Sequence, residues 1–212
     1  MADLWIKFCG CTGRADVDLA IEAGANAFGM IFAPSPREIS LEAAAEIARR
    51  PPAIEPVAVF VNPSQALVDD VRDMFPQALL QFSGDEPPEF VARYGDRAIK
   101  AVHVDRDAIN LAERAARFPD ATLLLDARHD GMAGGTGTTF PWEHAIPIAQ
   151  TRRVIIAGGL NPENVAACIE RVRPFGVDVR TGIERNDRKD FDKMQAFVRA
   201  VRSLDVVQDN MK

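Results

Sequence analysis

Residues 27–61 read AFGMIFAPSPREISLEAAAEIARRPPAIEPVAVFV, and this stretch decides the fold class. It opens on an apolar run, Ala27–Phe32, and closes on another, Pro56–Val61. Between them Ser40, a favoured N-cap residue, stands before the helical segment Leu41–Arg50. Strands that are apolar on both faces are parallel strands covered by helices, so the stretch reads as strand, helix, parallel strand.

Outward from this unit the same alternation fills the chain. Further apolar runs are Leu4–Phe8, Ala78–Phe82, Ala98–Val104, Ala121–Leu125, Arg153–Ala157 and Phe175–Val179, which makes eight candidate strands. Helical stretches separate them: Arg14–Ala23, Ser64–Phe75, Pro87–Tyr94, Arg106–Phe118, Pro141–Gln150, Pro162–Val172 and Lys189–Leu204. Several open with Pro in the first turn, where its missing N–H costs nothing. Eight strand–helix repeats in 212 residues predict an α/β fold, a single (β/α)8 TIM barrel over residues 1–212. A doubly wound open sheet would need only five or six strands. Residues 205–212 are polar and are expected to fray.

Composition sets outer bounds. Apolar residues make up 47% and charged residues 26%, values of a globular chain rather than a disordered one. The net charge is −6 and no Lys/Arg block occurs, which argues against a nucleic-acid or membrane partner. No apolar run reaches membrane-spanning length. The N-terminus MADLW has no basic n-region, so no signal peptide is expected, and three unevenly placed cysteines suit a reducing cytoplasm.

A barrel of this kind carries its chemistry at the C-terminal ends of its strands. The first run ends Lys7-Phe8-Cys9-Gly10-Cys11, with Lys7 and Cys9 on one face. Cys9 reads as a base or nucleophile if a cation lowers its pKa, or as a small buried apolar residue. Cys-x-Cys also suggests a metal site, but His103, His129 and His144 are scattered, so no metal is expected. The stiff loop Ala33-Pro34-Ser35-Pro36-Arg37 presents one arginine, a residue suited to a carboxylate or phosphate. Gln81 and Ser83 share a face at the fourth strand end and read as a pocket wall. Asp126 follows Leu123-Leu124-Leu125 and reads as an N-cap or a catalytic carboxyl. The glycine-rich loop at 131–139 either exposes N–H groups to an anion or is simply flexible. Gly158-Gly159 precede Asn161-Pro162, a helix start with N–H groups suited to an anion. With Thr181 and Gly182 after the eighth strand, this is the usual phosphate position of such barrels.

Taken together, KFCGCT at 7–12, GANAFGMIFAPSPR at 24–37, VAVFVN at 57–62, LLLDA at 123–127, GGTG at 134–137, AGGLNPENV at 157–165 and GVDVRTGIE at 176–184 resemble the phosphoribosylanthranilate isomerase family of tryptophan biosynthesis. The pieces run in family order across nearly the whole chain. The resemblance implies a (β/α)8 barrel that isomerises an aldose to a ketose by an Amadori rearrangement, without cofactor or metal. It implies Cys9 as general base and Asp126 as general acid, with Arg37 meeting the anthranilate carboxylate. It implies that backbone N–H groups of loops 158–159 and 181–182 hold the phosphate. The expected substrate-binding set is Lys7, Arg37, Gln81, Ser83, Gly135, Gly158, Gly159, Asp178, Arg180, Thr181 and Gly182. The expected partner is a small phosphorylated substrate, and the expected state is a monomer or homodimer.

Three positions depart from the family pattern. Ser83 stands where a histidine is usual, Arg180 where a small serine is usual, and Cys11 where an isoleucine is usual. Strand alternation puts Arg180 on the face of Asp178, within pairing range. Two roles stay open for Arg180: a donor to the phosphate, oriented by Asp178, or a group occupying space the ordinary substrate needs. The second role keeps alive a divergent barrel acting on another phosphorylated compound. A non-catalytic phosphate-binding module is a third reading.

Overall fold

A computed structural model of the chain describes residues 4–50, 52–105, 107–127 and 139–209, the last five without their side chains. Eight strands close into a barrel in sequence order: β1 (Trp5–Cys9), β2 (Ala27–Ile31), β3 (Glu55–Phe60), β4 (Leu79–Phe82), β5 (Ala98–Val104), β6 (Thr122–Ala127), β7 (Val154–Ile156) and β8 (Gly176–Val179). Every neighbouring pair is parallel, and β1 closes the ring on β8 with Lys7 opposite Asp178. The helices that follow the strands are α1 (Arg14–Ala23), α2 (Leu41–Ala48), α3 (Gln65–Met74), α4 (Pro88–Val91), α5 (Leu111–Ala116), α6 (Ile146–Ala149), α7 (Val165–Val172) and α8 (Phe191–Asp209). The expected tail at 205–212 overlaps the end of α8, and residues 210–212 lie outside the described residues.

Local chemistry explains the helix starts. Ser40 and Ser64 each accept a hydrogen bond from the backbone N–H three residues on, Ala43 and Leu67, both at 3.2 Å. Several helices are shorter than the periodicity predicts. The segment expected at Pro87–Tyr94 splits into α4 and a 3₁₀ stretch around Gly95. The one expected at Arg106–Phe118 loses its first turn because Ala108 and Asn110 adopt positive φ. The last helix begins at Phe191 rather than Lys189. Arg188–Lys189 (β10) instead pairs antiparallel with Glu184–Arg185 (β9) across Asn186-Asp187. Both turn residues have positive φ, the backbone of a tight hairpin turn.

Two apolar layers follow from strand alternation. The outward layer packs barrel against helices and includes Ile6, Phe8, Phe28, Met30, Phe60, Leu80 and Phe82, all buried. Phe32, Phe60 and Phe82 stack in a row with ring centroids 5.7 and 5.9 Å apart. The inward layer includes Trp5, Ala27, Val57, Ile99, Leu124 and Ile155, which fill the barrel so that it is not a pore. At the C-terminal mouth the inward positions change character to Lys7, Cys9, Gln81 and Asp178.

One outward position breaks the apolar pattern. Lys100 of β5 is buried and donates to Glu86 Oε2 at 2.7 Å and to the carbonyls of Phe82 and Gly84. Glu86 in turn accepts from the N–H groups of Asn62 and Gly84. This satisfied ionic cluster ties the loops after β3 and β4 to β5, beneath Ser83.

Candidate active site

The floor of the mouth is an ion pair. Lys7 is fully buried, and its Nζ donates to Asp178 Oδ1 at 2.9 Å. Burial works against an ammonium, but Asp178 and Cys9 beside it outweigh that, so the Lys7 pKa sits above its ordinary value and the charge is kept. The pairing expected between Asp178 and Arg180 is therefore corrected. The strand register puts Lys7 directly across from Asp178, and the carboxylate goes to the buried cation.

Cys9 is buried one step above Lys7 on the same face. Its register partner is Gly29, where a β-carbon would stand 3.0 Å from Cys9 Sγ and 3.0 Å from Lys7 Cε. The absent side chain of Gly29 is the space in which thiol and ammonium lie together. The neighbouring cation expected from the sequence is present, but its net effect differs from the expectation. Burial pushes the Cys9 thiol above its ordinary value, and the lowering by Lys7 and Lys189 only offsets this in part. Cys11, turned outward, directs its thiol toward the Phe8 carbonyl at 3.8 Å, and burial raises it to about 12. Among the described residues no group of three His, Cys, Asp or Glu is gathered as a metal would require.

Asp126 is half-buried and lies inside β6 rather than just after it, level with His103 of β5. Gly158 backs onto it: a β-carbon there would fall 2.7 Å from Asp126 Oδ1 and 2.5 Å from the Ala127 nitrogen. Gly158 also has φ +82, so both space and backbone demand glycine. Around the ring, Gln81 donates from Nε2 to Ser83 Oγ at 3.1 Å, while its buried Oε1 has no hydrogen-bond partner. A buried amide oxygen without a donor costs free energy until it is satisfied.

The loops after β7 and β8 meet closely. A β-carbon on Gly182 would overlap the Leu160 carbonyl oxygen at 2.0 Å. The helix start is less open than expected, since side chains already take three of its N–H groups. Asn161 Oδ1 accepts from Glu163 and Asn164, and Asn164 Oδ1 accepts from Asn161. The backbone N–H groups of Gly158, Gly159, Thr181 and Gly182 donate to no backbone carbonyl among the loop hydrogen bonds of the described residues. Gly135 lies outside the described residues.

The rim carries a second ionic cluster that sequence reasoning missed. Arg37 presents its Nε–Nη2 edge to both oxygens of Glu184, at 3.2 and 3.0 Å, and Nη1 donates to the Pro36 carbonyl. Lys189 donates to Glu184 Oε1 at 2.9 Å and to the Cys9 carbonyl at 2.6 Å. The sequence periodicity predicts a helix that starts at Lys189. The signal that could have found it is Asn186-Asp187, a turn pair between two short charged segments. Arg180, half-buried, has no acidic partner among the described residues.

The profile of N-(5'phosphoribosyl)anthranilate (PRA) isomerase matches residues 6–200. An N-(5'-phosphoribosyl)anthranilate isomerase of Nitrosococcus oceani is 43% identical over 203 residues, spanning 94% of this chain and 98% of that protein. One from Thiobacillus denitrificans is 45% identical, with 91% and 95% covered. The crystal structure of the Thermotoga maritima enzyme superimposes with TM-score 0.84 at 35% identity, covering 94% of this chain and 99% of that one. A further structure, solved in complex with reduced 1-(o-carboxyphenylamino)-1-deoxyribulose 5-phosphate, gives 0.81 at 34%, with the same coverage.

Proposed function

The chain belongs to the N-(5'-phosphoribosyl)anthranilate isomerase family, and from that premise we infer how its own residues carry the reaction. The protein is an isomerase of tryptophan biosynthesis. It converts N-(5'-phosphoribosyl)anthranilate to 1-(2-carboxyphenylamino)-1-deoxyribulose 5-phosphate. The reaction moves protons and needs one group to give and one to take.

Asp126 is the general acid. Its proton goes to the furanose ring oxygen as the C1′–O bond breaks, which opens the ring to a Schiff base. Cys9 is the general base. Its thiolate takes the C2′ proton, leaving an enolamine that gains a proton at C1′ and loses one from the 2′-oxygen to become the ketone. The two groups stand on β1 and β6, on different sides of the mouth, so a sugar between them meets one from each side. The raised Cys9 pKa makes its thiolate scarcer at neutral pH and a stronger base once formed. Lys7 and Lys189 supply the positive charge it needs when the proton leaves. Gln81 Oε1, buried without a partner, accepts a hydrogen bond from a sugar hydroxyl. The N–H groups of Gly158, Gly159, Thr181 and Gly182 receive the phosphate.

One observation carries this assignment: a buried Cys–Lys–Asp set at the end of β1 and β8, with a carboxyl at the end of β6 against Gly158. The test follows loss of phosphoribosylanthranilate fluorescence. Cys9→Ala and Asp126→Asn each lower turnover on the order of 10²–10⁴-fold, the range for a positioned proton carrier. Near-normal turnover removes the role from the residue changed. Among the described residues no helix is long and apolar enough to cross a membrane. A cytoplasmic monomer or homodimer fits the reading.

A further inference from the structure

We propose that Lys100 is a positioning residue for substrate binding, acting through Ser83 on Gln81, a role that rests on the isomerase reading and deepens it. Packing alone asks for an apolar side chain at this outward position of β5, where Ala98, Val102 and Val104 are all buried in the apolar layer. A buried ion pair is a poor way to stabilise such a layer, since apolar residues of similar volume often serve as well. What a lysine provides here is three donors in one place. Nζ spends them on the Phe82 carbonyl at 3.2 Å, the Gly84 carbonyl at 2.6 Å and Glu86 Oε2 at 2.7 Å. Glu86 Oε1 in turn holds the N–H groups of Asn62 and Gly84 at 2.9 and 3.0 Å.

The two carbonyls held by Lys100 flank Ser83 in the chain. The backbone of Ser83 itself is held from other sides. Its N–H donates to the Phe60 carbonyl at 2.8 Å, and its carbonyl lies 3.3 Å from His103 Nε2. The turn is tight on the next residue too, because a β-carbon at Gly84 would stand 2.5 Å from Asn62 Oδ1. With the backbone fixed, Ser83 Oγ has one place, and there it accepts from Gln81 Nε2 at 3.1 Å. Using the amide nitrogen in this way fixes the amide plane and leaves Oε1, buried and without a donor, as the atom offered to a ligand. In the isomerase reading that ligand is a sugar hydroxyl. The line of contacts runs from a cation on the outer face of the barrel wall to an acceptor at its mouth, and Lys100 acts only through the residues between.

The test is a kinetic cycle of Lys100→Met and Ser83→Ala, read by loss of phosphoribosylanthranilate fluorescence. A hydrogen bond made to bound substrate and kept through the reaction shows in KM, so kcat stays within about threefold of wild type. Each single variant raises KM roughly 3–10-fold, the scale of one neutral hydrogen bond. The double variant raises KM no further than the larger single effect, because both changes break one line of contacts. Glu86→Gln keeps an oxygen for the Asn62 and Gly84 N–H groups but takes the carboxylate from Lys100, and it behaves in the cycle as Lys100→Met does. Ser83→Ala removes one half-buried hydroxyl and leaves the Lys100–Glu86 pair in place, so a wild-type KM in that variant overturns the proposal by itself. A Lys100→Met loss that falls mainly on kcat, or that multiplies with the Ser83→Ala loss, makes the cluster a prop of the fold alone and overturns it too. So does an unchanged KM in Lys100→Met. Absence of turnover in the wild-type protein counts first against the isomerase reading and takes this inference with it.

Discussion

Gly29 and Cys9 face each other across β2 and β1, and the hydrogen that Gly29 carries in place of a side chain is what leaves room for the thiol. Gly29→Ala puts a methyl 3.0 Å from both Cys9 Sγ and Lys7 Cε and 3.2 Å from Cys9 Cα, the last a backbone atom that cannot swing away. Overpacking of this kind costs about 1–3 kcal/mol. Turnover falls about tenfold or more, because the base is displaced from its position. Gly13→Ala is the control: its added methyl meets nothing within 4 Å, and stability and rate stay near wild type. Steady-state kinetics and thermal melts of the two variants check the contrast.

Lys189 tunes the base. Burial holds the Cys9 thiol above its ordinary value, and Lys189 is one of the groups pulling it down. The active form is the thiolate, so kcat/KM rises with pH through neutrality on a limb set by Cys9. Lys189→Met removes a lowering influence and moves that limb to higher pH. The variant is slowest relative to wild type near neutral pH, and the gap narrows under alkaline conditions. A pH–rate profile measured for both proteins decides it; a drop of equal size at every pH contradicts the role.

Glu184 makes stability depend on acid pH. Burial pushes its carboxyl up, but the hydrogen bonds from Arg37 and Lys189 outweigh burial and hold it below the ordinary glutamate range. A carboxyl lowered in the folded state stabilises above its unfolded value, near 4.3, and loses that contribution as pH falls through the folded value. Glu184→Gln therefore costs about 1.5–3 kcal/mol near neutral pH, the scale of hydrogen bonds to a charged group. The difference from wild type shrinks below about pH 4. Urea unfolding of both proteins at neutral and acid pH measures it.

The remaining cysteines are packing residues. Cys11 and Cys168 are fully buried, and burial raises each thiol to about 12, so neither forms a thiolate at neutral pH. Cys11→Ala and Cys168→Ala leave turnover within a few-fold and cost about 1 kcal/mol of transfer free energy each. Activity and thiol-reagent titration of the native variants test this. A loss equal to that of Cys9→Ala at either position would make it part of the site.

The order of amino acids is enough to dictate the barrel, because eight apolar runs with helices between them have few other ways to bury both faces of every strand. It determined the helix starts at Ser40 and Ser64, where the capping hydroxyl and the helix it caps are neighbours in the chain. It also placed Lys7, Cys9, Asp126 and Asp178 at strand ends, since period-two alternation carries a side chain's facing along with its number. The tertiary structure alone decided which charges pair. Lys7 and Asp178 are 171 residues apart, Arg37 and Glu184 are 147 apart, and Lys189 reaches the carbonyl of Cys9 across 180. Partner choice over such separations depends on strand register and on the β9–β10 hairpin, which no local pattern encodes. The thiol's pKa was likewise decided only in three dimensions: the sequence shows the cation beside Cys9, but the burial that outweighs it belongs to the closed barrel.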